Sequence, residues 1–72
     1  MNRYKATLLT TKPDPLNANK QTDVFRKATL YTSRDLDTGD IVRFSGKAAR
    51  WEIRKIEKLE NSTLQLGDEV PT

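Results

Sequence analysis

Five cations surround the only tryptophan of this 72-residue chain: Arg43, Lys47, Arg50, Arg54 and Lys55, with Trp51 among them. Guanidinium and ammonium groups at this density suit phosphate oxygens, and a neighbouring indole can stack on a base. The distribution of charge points the same way. Between Ile41 and Lys58 six basic residues stand against two acidic ones, whereas Leu59 to Thr72 carries only Glu60, Asp68 and Glu69 as charged residues. The formal net charge of +3 permits an acidic partner without requiring one. Two plainer readings compete. A charge run is most often a solvated surface, and a lone tryptophan in so small a domain is most often its main core aromatic.

Catalytic chemistry is weighed by elimination. The chain has no histidine and no cysteine, so Ser33, Ser45 and Ser62 lack the usual activating base and no thiolate nucleophile exists. Asp35, Asp37 and Asp40 are the one cluster of carboxylates, yet they fall in a stretch, Asp-Leu-Asp-Thr-Gly-Asp, whose composition is that of a turn. The same stretch loosely matches an oxygen-rich calcium loop but lacks the later ligands and the distal glutamate such a loop needs. The three glycines, Gly39, Gly46 and Gly67, are isolated and form no phosphate-cradling loop. The expectation is a non-enzymatic protein with no catalytic residues, no metal site and no cofactor.

The elements that position these residues are read from hydrophobic period. Tyr4, Ala6 and Leu8 alternate with polar neighbours and predict a first strand over 1–11. Pro13, Pro15, Asn17 and Asn19 predict an exposed loop over 12–22, since proline fixes φ and lacks a backbone donor. Residues 23–32 predict a second strand with Val24, Ala28 and Leu30 inward and Phe25, Lys27, Thr29 and Tyr31 outward. Residues 33–40 predict a turn, and 41–44 a third strand with Val42 and Phe44 inward and Arg43 outward. After Ser45-Gly46-Lys47 the chain turns back. In 48–60 a strand competes with a short helix. Ala49, Ile53 and Ile56 have helical spacing, but Trp51 and Ile53 alternate as a strand does, and a β-bulge brings Ile56 into phase. The strand is preferred, with Arg50, Glu52 and Arg54 on one face and Trp51, Ile53 and Lys55 on the other. A last short strand is expected over 63–66.

These elements define one all-β domain over 1–66, a small antiparallel barrel, followed by a flexible acidic tail over 67–72. Its expected core is Leu8, Leu30, Val42, Phe44, Trp51, Ile53, Ile56 and Leu64. Seventy-two residues leave room for one modest core. The N-terminal residues lead into no long apolar run, so neither a signal peptide nor a membrane span is expected. That makes the expected location cytoplasmic or virion-associated.

The run Gly39-Asp40-Ile41-Val42-Arg43-Phe44-Ser45-Gly46, followed by Trp51-Glu52-Ile53-Arg54-Lys55-Ile56, resembles the centre of SH3-like small barrels. Its layout, with Lys27-Ala28-Thr29-Leu30-Tyr31 before it and Leu64-Gln65-Leu66 after it, is similar to the head–tail joining (head-closure) family of tailed bacteriophages. That resemblance implies an assembly component without catalytic activity. The first functional expectation is therefore a protein-interaction module whose partner is a neighbour in a viral assembly. The second is a nucleic-acid-binding barrel using Arg43, Lys47, Arg50, Arg54 and Lys55, and the third a small inhibitor of a host enzyme.

Overall fold

Alternation along four segments produces an all-β chain in the computed structural model, which describes residues 1–72. Strands β1 (Asn2–Asp14), β2 (Asn17–Thr32), β3 (Ile41–Arg43) and β4 (Arg50–Lys58) form one antiparallel sheet in the order β2-β1-β4-β3. Residues 48–60 contain no helix. The chain has no helix long and apolar enough to cross a membrane.

One face of the sheet carries the core. Tyr4, Ala6 and Leu8 of β1, Ala28 and Leu30 of β2, Val42 of β3, and Trp51 and Ile53 of β4 are buried together with Phe44. Ile56 packs against this cluster after a bulge in β4: Ile53 lies opposite Leu8 and Lys55 opposite Thr7, so Arg54 is the extra residue. The bulge returns Ile56 to the inner face, across from Ala6, and sends Lys55 outward. Lys55 therefore does not share the face of Trp51 and Ile53, as strict alternation predicts.

Three expectations are corrected. First, the sheet does not close into a barrel. β3 is only three residues long and does not pair with β2, so both remain edge strands. The C-terminal segment lies between them instead, bridging Leu30 through Glu69 and Phe44 through Pro71. Residues 68–72 are thus docked against the sheet, with Pro71 buried, where a frayed tail is expected.

Second, 63–66 is not a strand, and Leu64 is 53 % exposed. The turn Gln65–Asp68 claims the second half of that short alternating run, as the Asp68 N–H donates to the Gln65 carbonyl at 3.1 Å. Gly67, at φ 92°, holds the position of positive φ that this turn requires.

Third, residues 12–22 are not an irregular loop. β1 and β2 continue past the core as a two-stranded ribbon to Asp14 and Asn17, joined by Pro15-Leu16. Pro13 is tolerated because β4 pairs with β1 only from Tyr4 to Leu9. The Arg3 carbonyl accepts from Leu59 N–H on the β4 side, so alternation turns the Pro13 nitrogen to that side too, where no ladder remains to be broken.

Ile53 is fully buried at the centre of the sheet. Replacing it with Ala is expected to cost about 2–5 kcal/mol, comparable to the ~3–5 kcal/mol a core of this size supplies. Urea denaturation should find Ile53→Ala largely unfolded at 25 °C and Leu64→Ala close to the native chain. A folded Ile53→Ala protein of unchanged midpoint would remove Ile53 from the core.

Candidate functional site

The five cations singled out in the sequence do not form one stripe. Arg43 and Arg50 are directly opposite each other across β3 and β4, both exposed. Like charges facing each other in a sheet repel, so this pair weakens the β3–β4 contact. Arg54, on the bulge, donates to Glu52 at 2.7 Å and is neutralised there. Lys55 faces outward beside Thr7, and Lys47 follows the turn after Phe44. Trp51 is 8 % exposed. It is the core aromatic, not an open stacking platform.

The outer face brings together lysines that the sequence does not link. Thr7 has Lys27 opposite it on β2 and Lys55 opposite it on β4. Lys5 completes a shallow depression of about 180 Å³ around Thr7. Of the thirteen basic side chains, only Arg3, Arg26 and Arg54 meet a carboxylate. Lys5 faces Glu57 across β1 and β4, and Glu57 lines the same depression, so Lys27 and Lys55 are the two cations there with no carboxylate opposite them. Next to them runs an apolar row, Phe25–Leu9–Glu52–Ile41, interrupted only by the glutamate and crossing all four strands.

The inner face opens beyond the core into a cleft of about 570 Å³, lined by Lys12, Arg26, Phe44, Lys47, Trp51 and Glu69 among others. Arg26 is its organising residue. Its guanidinium carbon lies 5.2 Å from the centre of the Phe44 ring and 5.8 Å from that of Trp51, and it holds the Glu69 carboxylate. The cation–π contact and the ion pair together keep a charged side chain on an otherwise apolar face. A lone arginine between Val24 and Ala28 on the inward side of β2 was the available signal for this site.

Three other carboxylates, Asp37, Asp40 and Asp68, have structural work. Asp40 accepts from the Asp37 N–H at 2.8 Å, and Asp37 accepts from the Thr38 N–H at 2.7 Å, which closes the turn before β3. Asp68 repeats that arrangement, accepting from the Gln65 N–H at 2.9 Å. It also receives Arg3 through two nitrogens, at 2.7 and 3.0 Å. The side-chain hydrogen bond from Arg3 holds the Asp68 carboxyl below the ordinary carboxylate range, against the opposing effect of desolvation, with help from the Gln65 N–H. The same bond raises the Arg3 guanidinium. No three acidic, histidine or cysteine side chains converge as a metal-holding group.

These surfaces present exposed cations, apolar side chains and open strand edges. No protein family, characterised protein or solved structure matches the chain.

Because the folded-state pKa of Asp68 is depressed, the stability it supplies is complete above the unfolded carboxylate value, about 3.9, and is lost as pH falls through the lower folded value. Urea midpoints measured from neutral pH into acid should fall less steeply for Asp68→Asn than for the native chain, with the variant the weaker at pH 7. Parallel curves would mean that the Arg3–Asp68 pair makes no contribution.

Proposed function

We propose that this chain is a non-enzymatic protein-interaction module that docks through its β1–β2 ribbon, as a component of a phage or prophage assembly of the head–tail joining type. The observation that carries this reading is the ribbon itself. Apart from Asp14, every residue from Thr11 to Asp23 is exposed, and Leu16 at the tip is 96 % exposed. A two-stranded ribbon alone in water is marginally stable, and this one adds nothing to the core of its own chain. Ordering it carries an entropic cost that burial against a partner offsets. Its tip, Asp14-Pro15-Leu16-Asn17, is pre-shaped for insertion. The Leu16 N–H donates to the Asp14 carboxylate at 2.8 Å and the Asn19 N–H to the Asn17 side chain at 3.1 Å, which leaves the leucine as the one apolar projection. The resemblance of Arg26 to Leu66 to the head-closure layout, of which the last strand over 63–66 does not form, supplies the class of partner, a neighbouring protein in the assembly.

Co-expression with the products of neighbouring genes tests this. A structural protein should co-purify with the native chain, and Leu16→Asp should lower its recovery about tenfold or more, a difference of at least ~1.4 kcal/mol. Recovery unchanged by Leu16→Asp, or by replacing residues 13–21 with Asn-Gly, which closes the pair Lys12–Thr22 in its own register, would sink the ribbon as the docking element.

A second reading has its own support. Lys27 and Lys55, which face Thr7 and no carboxylate, with Arg43 facing Arg50, suit a polyanion such as nucleic acid. Binding to generic duplex DNA is expected at low salt and negligible at physiological salt. Lys27→Ala and Lys55→Ala should each reduce the log–log salt slope by about one, whereas the already paired Arg54→Ala should change it less. Tight binding at physiological salt that depends on Lys27 would place nucleic acid first.

A further inference from the structure

β2 is an edge strand, and its outer edge is occupied only near its C-terminal end. There the Thr29 carbonyl accepts from the Glu69 N–H and the Tyr31 N–H donates to the Glu69 carbonyl, both at 2.9 Å. Peptide groups alternate in direction along a strand, and β2 pairs with β1 in unbroken register from Gln21 to Thr32. The N–H and C=O groups of Asp23, Phe25 and Lys27 therefore face the same open edge. No strand of this chain pairs with them there. Phe25 stands between the two charged residues on the outer face, 62 % exposed. An edge of this kind is a template for another strand.

We propose that the occupant is a second copy of this chain, added antiparallel about a two-fold axis at Phe25. The axis stands perpendicular to the sheet, so outer face continues into outer face and the contact is isologous. Centred on Phe25, the register sets Asp23 opposite Lys27 of the second copy and Lys27 opposite its Asp23. Each of these residues has both its peptide groups free, so the two Phe25 residues and both charged pairs exchange main-chain hydrogen bonds. Neighbouring registers forfeit this complementarity. Centring on Val24 or Arg26 sets Phe25 against a charged side chain, and centring on Asp23 or Lys27 sets like charges face to face.

Pairing ends at Asp23 and Lys27 of each copy, because the next edge position, Thr29, is already bonded to Glu69, and each ribbon turns out of the shared sheet beyond Asp23. Within that span both faces accept the arrangement. On the outer side the row Phe25–Leu9–Glu52–Ile41 meets its own copy, phenyl beside phenyl. On the inner side Val24 lies opposite Arg26 of the second copy. The two Arg26 residues sit diagonally, each already neutralised by its own Glu69. The result is one continuous sheet twice the width of the first. The contact uses the base of the ribbon and leaves the Pro15–Leu16 tip free, so it stands or falls independently of the docking reading above.

Sedimentation equilibrium of the full chain tests this up to about 1 mM, where even a millimolar Kd is visible. A monomer–dimer equilibrium is expected. Asp23→Lys should weaken it about tenfold or more by setting lysine against Lys27, and Asp23→Lys combined with Lys27→Asp should restore it. Both side chains are exposed, and circular dichroism checks that the variants keep the sheet. Amide exchange gives a second readout: the N–H groups of Asp23, Phe25 and Lys27 should gain protection as concentration rises, while those of Val24 and Arg26, already bonded to β1, should not. A chain monomeric throughout, a dimer indifferent to Asp23→Lys, or a double variant no tighter than Asp23→Lys would each overturn the proposal.

Discussion

The inner face of a four-stranded sheet must be covered, and here the cover depends on Arg3 and Asp68. Neither β2 nor β3 reaches the other, and the residues between them, Glu69 to Pro71, form no strand of their own. Such a short segment, held by isolated bridges, has little cooperativity. What fixes it is a two-pronged ion pair at its first residue, with the Asp68 side chain 2 % exposed. A planar guanidinium meeting both oxygens of a carboxylate defines direction as well as distance. It sets Glu69 against β2 and, two residues later, Pro71 against Phe44. Leu30 and Phe44, the two residues the segment bridges, are both buried.

Much of the sheet was legible because period-two alternation is a local signal. Tyr4, Ala6 and Leu8, then Ala28 and Leu30, then Val42 and Phe44, read inward from sequence and are buried. The bulge in β4 was legible for the same reason: Ile53 and Ile56 cannot share a face of a regular strand, and an extra residue between them resolves the conflict. The faces of Arg54 and Lys55 were not legible, since the residue that bulges is chosen by the pairing with Thr7 and Leu8. Register also explains why the grouping of Lys55 with Lys5 and Lys27 escaped notice. They are far apart in sequence and adjacent only through Thr7.

The C-terminal segment was misread for a different reason. Acidic, short and glycine-containing, it has the composition of a frayed end. A closer signal was present: Asp37-Thr38-Gly39-Asp40 and Gln65-Leu66-Gly67-Asp68 share the pattern x-x-Gly-Asp. Both fold as the same loop, with the aspartate closing the turn through its N–H and its carboxylate. The first was read as a turn from its composition. The second was divided between an expected strand over 63–66 and the tail, and only the partnership with Arg3 reveals its role. The ribbon was misread in the opposite sense, because the side on which Pro13 lacks a donor depends on where β4 ends.

The position of Trp51 makes the molecule its own gauge. It is the sole tryptophan, it lies at the wall of the inner cleft, and its ring is covered by Arg26, which is in turn clamped by Glu69 of the docked segment. Release of that segment with the sheet intact would free the guanidinium and open the indole to water. The emission wavelength of one native fluorophore thus distinguishes a lifted C-terminal segment from a melted sheet, and an added label is unnecessary.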